Sequence, residues 1–276
     1  MSSLVRLSRG LTEYSGSTRS VGLLRLGWAL ILWARWADEL LPYRRMEPEH
    51  WVLGVLFFLG TFLMAVGLFS RTATLLSGCV TLYMVFIVGH MGGNEAWTHH
   101  HTTFLAVGTV LISLTPCGHS FSLDRWMAIR RAERSGVAWP TEYGNVWAVR
   151  LLALQMSTIY FWGAFDKTRW AVLGGDRMEQ PFMYLYFGSD YPGDWFHWLA
   201  VLTAWCVVLL EYCLSFGLWF RRVRAPLMLV GILFHCVMYY ALPVTVFSVA
   251  CIFAYLAFLE PDTVHRSIDR MLGIKE

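Results

Sequence analysis

Residues 147–170 read WAVRLLALQMSTIYFWGAFDKTRW. Trp147 to Phe165 is an apolar run of near-spanning length, since a transmembrane helix needs about 20 such residues. It is interrupted by Arg150 and Gln155 and closed by Asp166-Lys167. A lysine two residues past the last apolar position has two readings. As an interfacial anchor, it lays its stem along lipid and lifts its ammonium to the headgroups. As a base, it sits in a dry pocket that disfavours the charged amine and lets it take a proton. The run itself makes the chain helical and membrane-spanning, and the remaining sequence repeats the pattern.

Of 276 residues, 57% are hydrophobic and 15% charged, with mean hydropathy +0.49. Soluble domains hold roughly 45–50% apolar and about 25% charged residues. The composition therefore excludes an ordinary soluble domain, and a net charge of +3 gives no sign of nucleic-acid binding. Apolar runs recur at 21–41, 51–69, 73–92, 102–115, 147–165, 195–219, 225–240 and 244–259. The expected fold is an all-α integral membrane bundle of about eight transmembrane helices. It divides into a tail at 1–20, the bundle at 21–260 and a second tail at 261–276. Residues 1–20 contain Arg6, Arg9 and Arg19 but no apolar core, so no cleavable signal is expected.

Charge orients the bundle. With eight spans, fourteen Lys/Arg fall on the side of the termini and five on the other. Both termini are then cytoplasmic. Lys167, the loop of His99, His100 and His101, and the outer half of the helix bearing His235 would face the extracytoplasmic side. The segment WMAIRRAER (126–134) reads as an interfacial basic helix on the inner leaflet. Residues 174–193 read as an irregular outer loop containing a short re-entrant helix at PFMYLYFG.

Three consecutive histidines cannot converge on one ion from a helix, because neighbours point about 100° apart. Six scattered cysteines form no CxxC pair, so no metal site is expected. One histidine of the triplet instead opens the 102–115 run as a hydrogen-bonding or proton-transfer group. His235 within LFHCVMYY is either a satisfied structural histidine or a functional one. Glu211, in the inner half of the 195–219 run, is expected to pair structurally with Arg150.

Taken together, these segments resemble the horizontally transferred transmembrane (HTTM) domain family, which includes the vitamin K-dependent gamma-glutamyl carboxylases. The resemblance is carried by Asn94 through His101, Pro116 with Ser122-Leu123-Asp124, Gln155, YFWGAFDK at 160–167 with Trp170, Phe234-His235 and FAYLAF at 253–258. It implies a membrane-embedded carboxylase-like enzyme with Lys167 as base and His101 as second catalytic residue. Asn94, His100, His235, Gln155, Tyr160 and Trp170 would line the substrate or cofactor pocket. The implied cofactor is a reduced, vitamin K-like quinone, and the reaction a quinol- or oxygen-linked modification of a peptide or small molecule. Besides the lipid bilayer, the implied partner is a peptide substrate or a small soluble protein. The chain departs from the carboxylases in having Asp166-Lys167 where they carry adjacent lysines, and no counterpart of their large lumenal region is expected. The alternative is a non-enzymatic transport, maturation or immunity factor for a secreted peptide.

Overall fold

The computed structural model describes residues 13–41, 48–242 and 244–274. Arg6, Arg9, Arg44, Arg45 and Lys275, which entered the charge count, lie outside them. The described chain is helical apart from one two-stranded ribbon, in which β1 (Ser15–Ser17) pairs antiparallel with β2 (Tyr143–Asn145). It forms two compact units, Met1–Ala153 with Val249–Glu276, and Leu154–Ser248.

In the first unit, α1 (Arg19–Leu40), α2 (Pro48–Val66), α3 (Ser70–Tyr83) and α4 (His100–Ser113) pack as neighbours. The helix of α3 runs on as a π-helical segment, Met84–Met91. The core is made of Leu24, Trp28, Leu32, Trp36, Phe57, Met64 and Phe104, all at most 1% exposed. Trp28 donates to the Leu105 carbonyl at 3.0 Å and meets Phe104 edge-on. The basic segment is α5 (Leu123–Ser135): Ser122 accepts from the Arg125 amide, and Gly136, at φ 66°, ends the helix left-handed. Trp126, 55% exposed on α5, lies under the Arg130 guanidinium.

The second unit begins inside α6 (Ala148–Lys167). It continues through α7 (Trp170–Leu173), α8 (Asp176–Phe182) with its π-helical end Met183–Phe187, α9 (Asp194–Gly217) and α10 (Arg221–Ala241). The 174–193 stretch is thus largely helical rather than an irregular loop, and it packs along the first half of α9. There Glu179 bonds His197 at 2.6 Å, and Phe187 meets Phe196 at 5.2 Å. Then α11 (Thr245–Ala254) passes by a 3-10 turn, Tyr255–Phe258, into α12 (Pro261–Leu272) back in the first unit.

By length and composition, four described helices can cross a membrane: Pro48–Val66, Ser70–Met91, Asp194–Gly217 and Arg221–Ala241. Thr245–Phe258 with Pro261–Leu272, bent by 103°, makes a fifth if counted as one span. The other runs read from hydropathy are helices too, but α1 carries Arg25, Arg35, Asp38 and Glu39, α4 has only 14 residues, and α6 holds Arg150, Asp166 and Lys167.

A polar clasp ties the ends of the first unit. Arg19 bonds Glu142 at 2.8 Å and Asp269 at 2.5 Å, and Ser120 donates to Glu142 at 2.9 Å. His265 links Ser17 at 2.7 Å to Asp269 at 3.2 Å. Burial alone would raise the Glu142 carboxyl, but hydrogen bonds from Arg19 and Ser120 and the charge of Arg125 hold it below its ordinary 4.5. A carboxyl so held binds fewer protons folded than unfolded. Its contribution is complete above about 4.5 and is lost as pH falls through the lower folded value. Thermal unfolding in detergent should show the wild-type midpoint falling below pH about 4.5 more steeply than that of Glu142→Gln, which should already be lower at pH 7. Parallel curves would remove Glu142 from the clasp.

Candidate functional site

α6 and α9 run antiparallel and are pinned at one level by two bonds. Ser215 Oγ donates to the Ser157 carbonyl at 2.9 Å, and Trp219 Nε1 donates to Ser157 Oγ at 2.8 Å. Farther along this interface the Lys167 side chain folds back over its own helix. Its Nζ donates to both Glu211 carboxylate oxygens at 2.8 Å and to the Gly163 carbonyl at 3.2 Å. The Glu211 side chain is 10% exposed and that of Lys167 35%, so the carboxylate is enclosed and the amine is its accessible edge.

This pairing corrects the sequence expectation. Glu211 does not meet Arg150, whose guanidinium lies 3.6 Å over the Tyr14 ring. Asp166, adjacent to the lysine, turns away and pairs with Arg169 at 3.2 Å on an exposed surface. At a rise of about 1.5 Å per residue, Glu211 lies about 9 Å from the C-terminal end of α9 and about 25 Å from its start. The ammonium therefore sits inside the length of a spanning helix and not at its N-terminal end, where an outer-leaflet anchor would lie.

Aromatic rings flank the pair. Phe161 meets Tyr212 and Phe216 edge-on, each at 5.9 Å, and stacks with Phe165 at 6.3 Å. Two turns before Lys167 on α6, the Tyr160 hydroxyl bonds His235 Nε2 at 2.7 Å, with both side chains buried. Phe234 and Phe247 close around the imidazole.

Of the residues the sequence singled out, Lys167, Tyr160, His235, Gln155 and Trp170 belong to the second unit, and Asn94, His100 and His101 to the first. Gln155 Oε1 is buried and has no hydrogen-bond partner among the described residues. It lies about 12 Å along α6 from Gly163, beyond the reach of one ring held at Lys167. Trp170 is 80% exposed at the start of α7. In the first unit, His101 is half-buried and stacks with His99 at 5.4 Å, while His100 is exposed. Burial first, then the charge of Arg35 and the neighbouring histidines, pushes His101 down to about 4, so its imidazole is neutral at physiological pH. Asn94 lines a cavity of about 420 Å³ with Asp38, Glu39, Glu49, His50 and Trp97. Glu39 bridges Arg35 and Trp97 there. Among the described residues, no three His, Cys, Asp or Glu side chains are placed to hold a metal ion.

The residue that sequence reasoning misplaced is Glu211. A lone carboxylate in an apolar helix signals that a cation must face it, but which cation depends on how α9 is shifted against α6.

These helices define the class: a helical protein with four or five candidate membrane spans among the described residues. The model of the HTTM domain matches residues 40–263, and the chain belongs to that family, a membrane domain of carboxylase-like proteins. No curated protein and no solved structure matches the chain.

Tyr160→Phe keeps the ring and deletes the hydroxyl that His235 meets in the core. Losing a buried hydrogen bond of this kind costs about 1–3 kcal/mol, so the thermal midpoint in detergent should fall. An unchanged midpoint would show that the bond contributes nothing to stability.

Proposed function

We propose that the chain is a membrane-embedded, carboxylase-like enzyme in which Lys167 is the base, acting on a reduced quinone in an oxygen-linked modification of a peptide or small molecule. The observation that carries this reading is the Lys167–Glu211 pair. Ionisable side chains within spanning segments are costly and mark functional sites by default. Here the basic partner, and not the acidic one, is the accessible one.

The surroundings fit an apolar ring. Phe161, Tyr212 and Phe216 cluster on α6 and α9, the two helices that carry the pair, and Trp162, Phe165 and Phe216 are more than half exposed, open to a ligand arriving from lipid. A reduced quinone held there would supply an acidic hydroxyl and two electrons for reaction with oxygen. The chain's own part is to hold the Nζ lone pair where that hydroxyl presents its proton, and to keep the resulting ammonium among carbonyl and carboxylate oxygens. The Tyr160–His235 pair is a second polar point on the same helix.

The test is oxygen consumption by the purified chain in nanodiscs with a reduced vitamin K-type naphthoquinol, above the autoxidation blank. General-base catalysis contributes about 10²–10⁴-fold, and a guanidinium stays protonated. Lys167→Arg should therefore lose at least about 10²-fold, while Arg169→Lys stays near wild type. A wild-type rate in Lys167→Arg would end the base reading and leave the non-enzymatic one. No consumption by the wild type would end the quinol reading.

The termini are proposed to be cytoplasmic and the His99–His101 loop extracytoplasmic; in that orientation the Lys167–Glu211 pair, about 9 Å from the C-terminal end of α9, lies toward the cytoplasmic end of the span rather than on the outer face expected from the sequence. In a cysteine-free background, a cysteine placed near Gly92 should react with an impermeant thiol reagent added to intact cells, and one near Arg131 should not. The reverse pattern would turn the molecule over in the membrane.

A further inference from the structure

Resting on the reading of Lys167 as the base, we propose that Glu211 is its positioning residue and proton store: at rest its carboxylate holds Lys167 as the ammonium, and with substrate bound it takes one proton from Nζ and frees the amine for use. Both carboxylate oxygens lie 2.8 Å from Nζ, which makes a proton transfer between them a matter of a short bond rather than a journey. One N–H bond of the ammonium breaks and one O–H bond of Glu211 forms, giving a neutral amine beside a neutral carboxylic acid. No electrons change hands. The amine then takes the substrate's hydroxyl proton, and the ammonium is restored against the substrate's new oxyanion. At every stage the ammonium has one anion beside it, first the carboxylate and then the substrate oxygen. No lone charge is ever left in a low-dielectric setting, which is the costly state.

The neighbourhood leaves Glu211 as the group for this role. Asp166 is engaged with Arg169 on the exposed side of α6, Glu179 with His197, and His235 bonds Tyr160. The Gly163 carbonyl holds Nζ in place but cannot store a proton. Glu211 is also the more enclosed partner, so a proton placed on it stays with the pair.

The chain has only two lysines, Lys167 and Lys275, and the second serves as an internal reference. The full chain in nanodiscs is treated with phenyl isothiocyanate, which modifies only the neutral amine, and modification at each lysine is read by mass spectrometry at pH 6.5 and 8.5. Glu211→Gln keeps a hydrogen-bond acceptor but cannot hold the ammonium, which must then shed its proton. Lys167 should be modified at least about threefold more than in wild type at pH 6.5, and its ratio to Lys275 should fall toward pH 8.5. Glu211→Asp, which keeps a carboxylate, should behave like wild type. Equal modification of Lys167 in wild type and Glu211→Gln would overturn the proposal. So would a Lys167 signal in Glu211→Gln that tracks Lys275 between the two pH values, since that is an ordinary lysine released into water. This readout needs no turnover: if the modification pattern appears while Lys167→Arg still consumes oxygen, the pair is coupled as proposed and the base reading alone has failed.

Discussion

One guanidinium holds the first unit together. Arg25, fully buried on α1, donates through Nε to the Cys117 carbonyl at 3.1 Å and through Nη2 to Phe121 at 2.5 Å. Through Nη1 it donates to the carbonyls of Met64 and, at 3.1 Å, Ala65. Those last two belong to the final turn of α2, where carbonyls have no partner within the helix. One side chain thus satisfies a helix end and a connecting loop at once. Gly67, at φ 71°, makes this possible, because a Cβ there would fall 2.8 Å from Nη1. Next to it, the Asp124 carboxylate accepts from the Phe69 and Ser70 amides and caps the start of α3.

Lys167 meets the same constraint, a buried-side positive charge that needs oxygen around it, with a different solution. Arg25 is surrounded by amide carbonyls, which cannot accept a proton, and a guanidinium does not give one up. Its charge is permanent and its role is structural. Lys167 has a carboxylate for its main partner, and an amine and a carboxylate can exchange a proton and become neutral together. Arg25 and Lys167 therefore differ in kind, and the difference lies in the acceptors.

Much of this was legible in the sequence. Apolar runs marked the helices, and the order of YFWGAFDK, Phe234-His235 and Asn94 through His101 marked the family. The basic helix was legible as WMAIRRAER at 126–134, although it starts three residues earlier, at Leu123, where Ser122 caps it. What was hidden is register. If residues 168–193 merely joined the ends of α6 and α9, antiparallel helices would set Lys167 beside Asp194 and Glu211 beside Arg150. Instead α7, α8 and the π-helical segment occupy the first half of α9, with Gly175 against Val201 and Phe187 against Phe196. That displaces α6 by several turns, until Ser157 meets Ser215 and Lys167 reaches Glu211. Nothing local in the sequence records such a shift, because it is set by packing between segments far apart in the chain.

The register also bears on the two readings that Lys167 admits on position alone. An anchor must place its ammonium among headgroups, at the end of a span. Here the last turn of α6 stops well inside the length of α9, and the lysine bends back toward Gly163 rather than reaching onward. A snorkelling side chain extends away from the apolar layer; this one is turned into the helix pair and held by a carboxylate that is itself enclosed. Keeping that carboxylate about 9 Å inside the end of α9 is costly by the ordinary measure of ion pairs, which well-packed apolar residues replace with little loss. A pair kept at such a place, with its amine edge open, is what the proposed proton chemistry needs.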